Sequence, residues 1–307
     1  MSRLKIAFVG SGGAARGLAH LGVLKACEEL GVCPEIYVGA SAGALVSATY
    51  GQEIPLDVLL DGFRLPWRRR HEGPRLHAST FLGAPRARDF LDPGYLTAGL
   101  FSLDKLERYV ASTLPINDFR KLSNPVFVTA VDVDSGQRKV FGPGYDEATP
   151  ISQAVAASCC VPGLFRPYRI GNRYYLAGEV VKTLSADLAV AAGANVVIIS
   201  NIYRPETRSE DKRSIARSGM GSVIRQSLNI VLTEKEKRGV ELLAKTYPNV
   251  TFLDIAPDVG RYSYWNRFAA RPLVMRGYKT ALRVLASAKE RGVFSGMPQL
   301  PPTVALN

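Results

Sequence analysis

Histidine is scarce in this 307-residue chain: His20, His71 and His77 are the three, and none lies beyond position 77. A Ser-His-Asp triad in α/β-hydrolase order needs its histidine late, after nucleophile and acid, so that triad is excluded. Cysteine is scarce too. Cys27, Cys33, Cys159 and Cys160 form no C-x-x-C pair and sit in apolar segments, which argues against a zinc ribbon or disulfide framework and predicts buried thiols. No metal site and no cofactor are expected. No apolar run reaches the roughly 18 residues that a membrane-crossing helix needs; the nearest, 188–199, is broken by Gly193, Ala194 and Asn195. There is no internal repeat and no linker, so one domain over 1–307 is expected. Met1-Ser2-Arg3 leads straight into the apolar run 4–9, too short for a secretory signal core, and the expectation is a cytoplasmic protein, with peripheral membrane contact left open.

What is present describes a folded globular chain: 47% hydrophobic and 21% charged residues exclude disorder and coiled coil as the main state. The net charge of +12 implies attraction to anions. Arginines cluster at Arg64, Arg68, Arg69, Arg70 and Arg75 and again over 204–225. Aromatic residues do not interleave with them and no nucleic-acid module is visible, so no nucleic acid is expected. A solvated basic face is the plain account, and an anionic membrane surface comes next.

Short β-branched runs alternate with amphipathic segments over the first hundred residues, the pattern of parallel β-α units. The spacing predicts strands over 4–9, 36–38, 126–132, 137–141, 174–176, 196–200 and 251–255. Helices are predicted over 15–30, closed by Gly31, and over 42–50, 56–63, 103–114, 151–158, 227–247 and 273–291. The Pro-, Arg- and Gly-rich stretch 66–93 reads as a surface loop or candidate lid, and 203–218 as a mobile polar loop.

Two motifs carry chemistry. Gly39-Ala40-Ser41-Ala42-Gly43 fits G-x-S-x-G between a strand and a small-residue helix, so Ser41 is the candidate nucleophile and Gly39 and Gly43 the elbow glycines. The flanking glycines relieve crowding against strand and helix, and the helix N-terminus sets positive potential behind the hydroxyl. The stretch Gly10-Ser11-Gly12-Gly13-Ala14-Ala15-Arg16-Gly17 follows the first strand and opens a helix. A dinucleotide site would use Gly10, Gly12 and Ala15 and would want an acid at the end of strand two, where Val38-Gly39-Ala40-Ser41 stands instead. An oxyanion hole would use the same N–H groups against the oxygen that forms when Ser41 attacks an acyl carbon. His20 is expected to pack and hydrogen-bond within the first helix.

These residues resemble the patatin-like phospholipases, serine lipid acyl hydrolases. Residues 12–24 resemble the family's G-G-G-x-R-G loop and the H-x-G-V-L helix after it, 39–43 its elbow, and Ala157-Ser158 with Val161-Pro162-Gly163-Leu164-Phe165 the stretch before its acid. Residues 103–142 and 196–200 follow its pattern too. The resemblance implies a three-layer α/β/α fold with a mostly parallel sheet, an acyl lipid or ester substrate, and a Ser-Asp dyad without histidine. It implies oxyanion donors at Gly12, Gly13 and Ala14, with Arg16 steadying the loop or contacting an anionic head group.

The dyad acid is expected in Asp-Gly-Gly or Asp-Gly-Ala, and the matching positions read Ala177-Gly178-Glu179. Neighbouring departures at Lys182, Thr183 and Ser185 mark natural divergence. Hydrolysis is therefore expected to be weak or lost, because the serine proton has no acceptor. Glu179 could substitute only by reaching back from two residues along an extended segment, and a solvent-facing or ion-paired turn residue is the plainer expectation. The alternative is a non-catalytic lipid- or partner-binding protein with a basic, membrane-facing surface.

Overall fold

The structure is a computed structural model and describes residues 3–62, 78–84, 87–182, 184–203, 214–259 and 270–295. In chain order it runs β1 (Ile6–Gly10), α1 (Leu18–Glu29), β2 (Ile36–Gly39), α2 (Ala42–Tyr50), α3 (Leu56–Gly62), α4 (Pro93–Thr97) and β3 (Gly99–Phe101). Then come α5 (Asp104–Thr113), β4 (Val126–Asp132), β5 (Arg138–Phe141), α6 (Ile151–Ser158), β6 (Gly163–Phe165), β7 (Tyr168–Ile170) and β8 (Arg173–Ala177). The chain closes with α7 (Ala186–Ala191), β9 (Val196–Ser200), α8 (Met220–Thr246), β10 (Thr251–Ile255) and α9 (Ala270–Glu290).

The main sheet has the order β10-β9-β1-β2-β4-β8-β7, with β5 pairing β4 off that path. Its centre is parallel: β10 with β9, β9 with β1, β1 with β2 and β2 with β4. The β8 and β7 edge is antiparallel. Side chains alternate across each strand, so Ile6 and Phe8 of β1 join the core under α1, α2, α5, α6 and α9, while Ala7 and Val9 join that under α7 and the C-terminal half of α8. Both faces of the central strands are covered, which is why β1, β2 and β9 read as unbroken apolar runs. The result is the three-layer α/β/α arrangement with a mostly parallel sheet.

Several expectations need correction. The helix expected over 15–30 starts as a 3-10 turn, Ala14–Gly17, and becomes α-helical only at Leu18. A small parallel pair, β3 with β6, was not foreseen: at three residues each, these strands are too short for a periodic signal. Of the stretch 66–93, residues 66–77 and 85–86 lie outside the described residues; the rest holds 3-10 turns at Ala78–Phe81 and Ala87–Leu91 and a bridge from Gly83 to Ser102. Of 203–218, residues 204–213 lie outside them, and Tyr203 is buried rather than part of a mobile loop. Cys27, Cys159 and Cys160 are buried thiols as expected, but Cys33 is exposed, because it lies in the turn between α1 and β2 rather than in the apolar run beside it.

Candidate active site

Ser41 stands between β2 and α2 with φ 52° and ψ −117°. A non-glycine residue in the left-handed region is strained, and such strain persists only where the surroundings hold it. They hold it firmly here. The Ser41 N–H donates to Ser158 Oγ at 2.7 Å, and the Ser158 hydroxyl donates to the Thr129 carbonyl at 2.7 Å, tying the elbow through α6 to β4. The elbow is also tied to the glycine-rich turn, since the Gly43 N–H donates to the Ser11 carbonyl at 3.1 Å. A Cβ at Gly43 would fall on the carbonyl of Gly10, so this approach of α2 to the end of β1 needs glycine.

His20 completes that junction. Its Nε2 lies 2.7 Å from the same Ser11 carbonyl and its Nδ1 2.6 Å from Ser200 Oγ. A carbonyl can only accept, so the proton sits on Nε2 and the Ser200 hydroxyl donates to Nδ1. Burial lowers the imidazole from 6.5 to about 4, against a smaller opposing pull from the Ser11 hydrogen bond. His20 is a neutral structural residue, as expected.

The turn after β1 has Gly13 at φ 135° and Ala14 at φ 57°. Ala14 therefore takes the left-handed backbone that a third glycine would take more cheaply. Among the described residues, the N–H groups of Gly12, Gly13 and Ala14 have no hydrogen-bond acceptor. The residue before them, Ser11, is the one bonded to the elbow.

The acid position is different. Ala177 ends β8, paired with Ala130 of β4, and donates its N–H to the Cys160 carbonyl at 2.8 Å. Its side chain is a buried methyl. Gly178–Val180 then forms a 3-10 turn rather than an extended segment, and the turn carries Glu179 inward, where it is 6% exposed. The expected solvent-facing role is wrong for that reason. Glu179 Oε1 lies where a Cβ on Gly12 would stand, and it has no hydrogen-bond partner among the described residues. Oε2 accepts from the Tyr203 hydroxyl. Burial raises the Glu179 carboxyl from 4.5 to about 7, opposed by the Tyr203 hydrogen bond and by the charges of Arg16 and Lys235. The Arg16 guanidinium lies 5.8 Å from the centre of the Tyr203 ring and donates to Asn229 Oδ1 of α8 at 3.5 Å. Lys235 donates to the carbonyls of Glu179, Val180 and Val181 at 2.9, 3.1 and 3.0 Å, closing the open end of the turn.

A model of the patatin-like phospholipase family matches residues 8–190. The chain belongs to that family. An uncharacterised NTE-family protein of Mycobacterium tuberculosis is 28% identical over 195 residues, covering 61% of this chain and 48% of that protein. Human patatin-like phospholipase domain-containing protein 6 is 28% identical over 199 residues, 64% of this chain and 13% of that protein. The matches thus span about half the length of the first relative and a small part of the second. The crystal structure of VipD from Legionella pneumophila is similar over 94% of this chain and 67% of its own, at 15% identity and a TM-score of 0.48.

In this family member the surroundings of Ser41 also include residues that the motifs do not mark. Cys159 follows Ser158 and is raised to about 12 by burial and by the neighbouring Glu179 charge, while a hydrogen bond from Ser41 pulls the other way. Ser41, Cys159 and Glu179 therefore share one environment. Ser158 lay inside the stretch that matched the family, but nothing in the sequence marked it as the acceptor for the elbow N–H. Tyr203, Asn229 and Lys235 carried no signal at all, since their partners are 24, 213 and 56 residues away. Among the described residues no His, Cys, Asp and Glu group could hold a metal ion, and no helix is long and apolar enough to cross a membrane.

Proposed function

We propose that this chain is a lipid acyl hydrolase with Ser41 as nucleophile and a weak turnover. Ser41 Oγ bonds to the acyl carbon of a lipid ester, and the carbonyl oxygen takes up negative charge against the N–H groups of Gly12, Gly13 and Ala14. The ester bond breaks, the leaving alcohol carries off the serine proton, and water then releases the fatty acid from the acyl-enzyme. The observation that carries this reading is the strained Ser41 elbow bonded through Ser11 to a turn with three unpaired N–H groups. The names of the relatives add a lipid substrate class. The methyl at Ala177 argues for low turnover, because the usual acceptor for the serine proton is missing.

A fluorophosphonate probe tests the nucleophile directly. Labelling at Ser41 that disappears in Ser41→Ala supports it, and a parent that takes no label favours a non-catalytic lipid-binding protein. The second reading, Glu179 as substitute proton acceptor, is favoured by its inward turn, its unpaired Oε1 and its value near 7. If the parent turns over an ester quickly and Glu179→Gln lowers kcat without removing the label, Glu179 takes the proton.

A further inference from the structure

Helix α8 has its polarity reversed over its first three turns. Met220, Val223, Ile224, Leu228 and Val231, spaced by three, four and seven residues, share one face, and all are exposed; Met220 is 79% and Val231 61% accessible. The polar Asn229 and Glu236 are buried on the other side. That inner side meets the glycine-rich turn, where Asn229 accepts from Arg16, while Lys235, at the C-terminal end of the stripe's own face, donates to the carbonyls of 179–181. A soluble helix normally turns its apolar stripe to the core, and a contiguous exposed one marks an interaction surface.

The charge pattern says which surface. Between Asp211 and Glu234 the chain holds Lys212, Arg213, Arg217 and Arg225 and no acidic residue, in a protein whose net charge is +12. Of these Arg217 is exposed just before the helix, and a basic stretch of sequence leading into an apolar helical stripe suits an anionic lipid bilayer, where the stripe sinks to the acyl boundary and cations stay at the head groups. A second copy of this chain suits it poorly, because a twofold contact would bring the same cations face to face. We propose that the N-terminal half of α8, joined to the glycine-rich turn through Asn229 and Arg16, is a docking surface for anionic membrane. This inference rests on the lipid reading of that site and supplies the source of its substrate.

The test is flotation of the full chain with vesicles of phosphatidylcholine, with and without phosphatidylglycerol. The parent is expected to bind the mixed vesicles, to bind phosphatidylcholine alone less, and to lose binding as salt rises. The variant Ile224→Gln/Leu228→Gln/Val231→Gln, with parental circular dichroism, is expected to bind about tenfold more weakly or worse. Equal binding by that variant overturns the proposal. So does a parent that sediments as a dimer and a triple variant that sediments as a monomer, which would assign the stripe to self-association. Ser41→Ala is expected to float like the parent, so the two readings fail separately. A parent that does not float yet takes the label at Ser41 sinks the docking surface alone, and a parent that floats yet takes no label sinks the nucleophile alone.

Discussion

The carboxyl of Glu179 occupies the position that a side chain on Gly12 would need. Two segments far apart in sequence, the turn after β1 and the turn after β8, therefore interlock at one point. The glycine-rich turn has room for Glu179 because residue 12 has no side chain. Glu179 is in turn held by Tyr203, and Tyr203 is covered by Arg16, which springs from the same glycine-rich turn.

That interlock predicts strong non-additivity. Gly12→Ala should destabilise the chain by about 1–3 kcal/mol, since the new methyl meets a carboxylate that cannot retreat without losing Tyr203. In a Glu179→Ala background the same change should be nearly neutral. Thermal melts of the four proteins of the cycle give the coupling, expected at about 1 kcal/mol or more. An additive cycle would mean the two residues do not touch.

A pH effect follows from two of the buried titratable groups, Glu179 and His20. Glu179 is raised from 4.5 to about 7, so between those values the folded chain keeps a proton that the unfolded chain has lost. Stability therefore falls as pH rises through that window, by roughly 3 kcal/mol in all. His20 is lowered from 6.5 to about 4, so there the unfolded chain holds the extra proton and stability rises with pH by a similar roughly 3 kcal/mol. The two slopes nearly cancel between pH 4.5 and 6.5 in the parent. Glu179→Gln removes one of them. Its stability is expected to climb with pH over that range, and its melting temperature should exceed the parent's most clearly at pH 8.

Restoring the acid should restore turnover. Ala177→Asp supplies a carboxylate at the family's position, and Ala177→Asp/Glu179→Ala also reproduces Asp-Gly-Ala and empties the space beside Gly12. Because losing such a base costs on the order of a thousandfold or more, even partial geometry should raise ester hydrolysis tenfold to a hundredfold, with the double variant ahead. Initial rates on a short-chain ester measure both. A single variant faster than the double one would show that Glu179 assists rather than obstructs.

Ser158 should matter to Ser41 although it is not a catalytic residue. Ser158→Ala leaves the buried Ser41 N–H and the Thr129 carbonyl without their shared partner, at a cost of about 1–3 kcal/mol. The elbow should relax from its strained φ, and fluorophosphonate labelling of Ser41 should slow at least tenfold. Ser158→Thr, which keeps the hydroxyl, should recover most of the rate. Labelling at the parental rate in Ser158→Ala would show that the strain is held by α2 and β1 alone.

The sheet was legible because its centre is covered on both faces. β4, β9 and β10 appear at their expected limits, as do α2 and α6; β4, β9, α2 and α6 are dense apolar or small-residue runs, and β10 alternates buried Leu253 and Ile255 with exposed positions. The elbow and the glycine-rich turn were legible for a local reason: their function needs particular residues at adjacent positions. Glu179 was misjudged because its direction depends on a three-residue turn, Gly178–Val180, whose open carbonyls are held by Lys235 from α8. Tyr203 and Asn229 depend in the same way on tertiary neighbours, which no local pattern records.

Cys33 precedes β2, whereas Ser41 follows it, so the exposed thiol and the candidate nucleophile sit at opposite ends of one strand. Cys27, Cys159 and Cys160 are buried. A maleimide dye would therefore attach to a single place under native conditions, at the end of β2 away from Ser41. The molecule carries its own attachment point for a fluorescent reporter, with no engineered cysteine and no disturbance of the parts that matter.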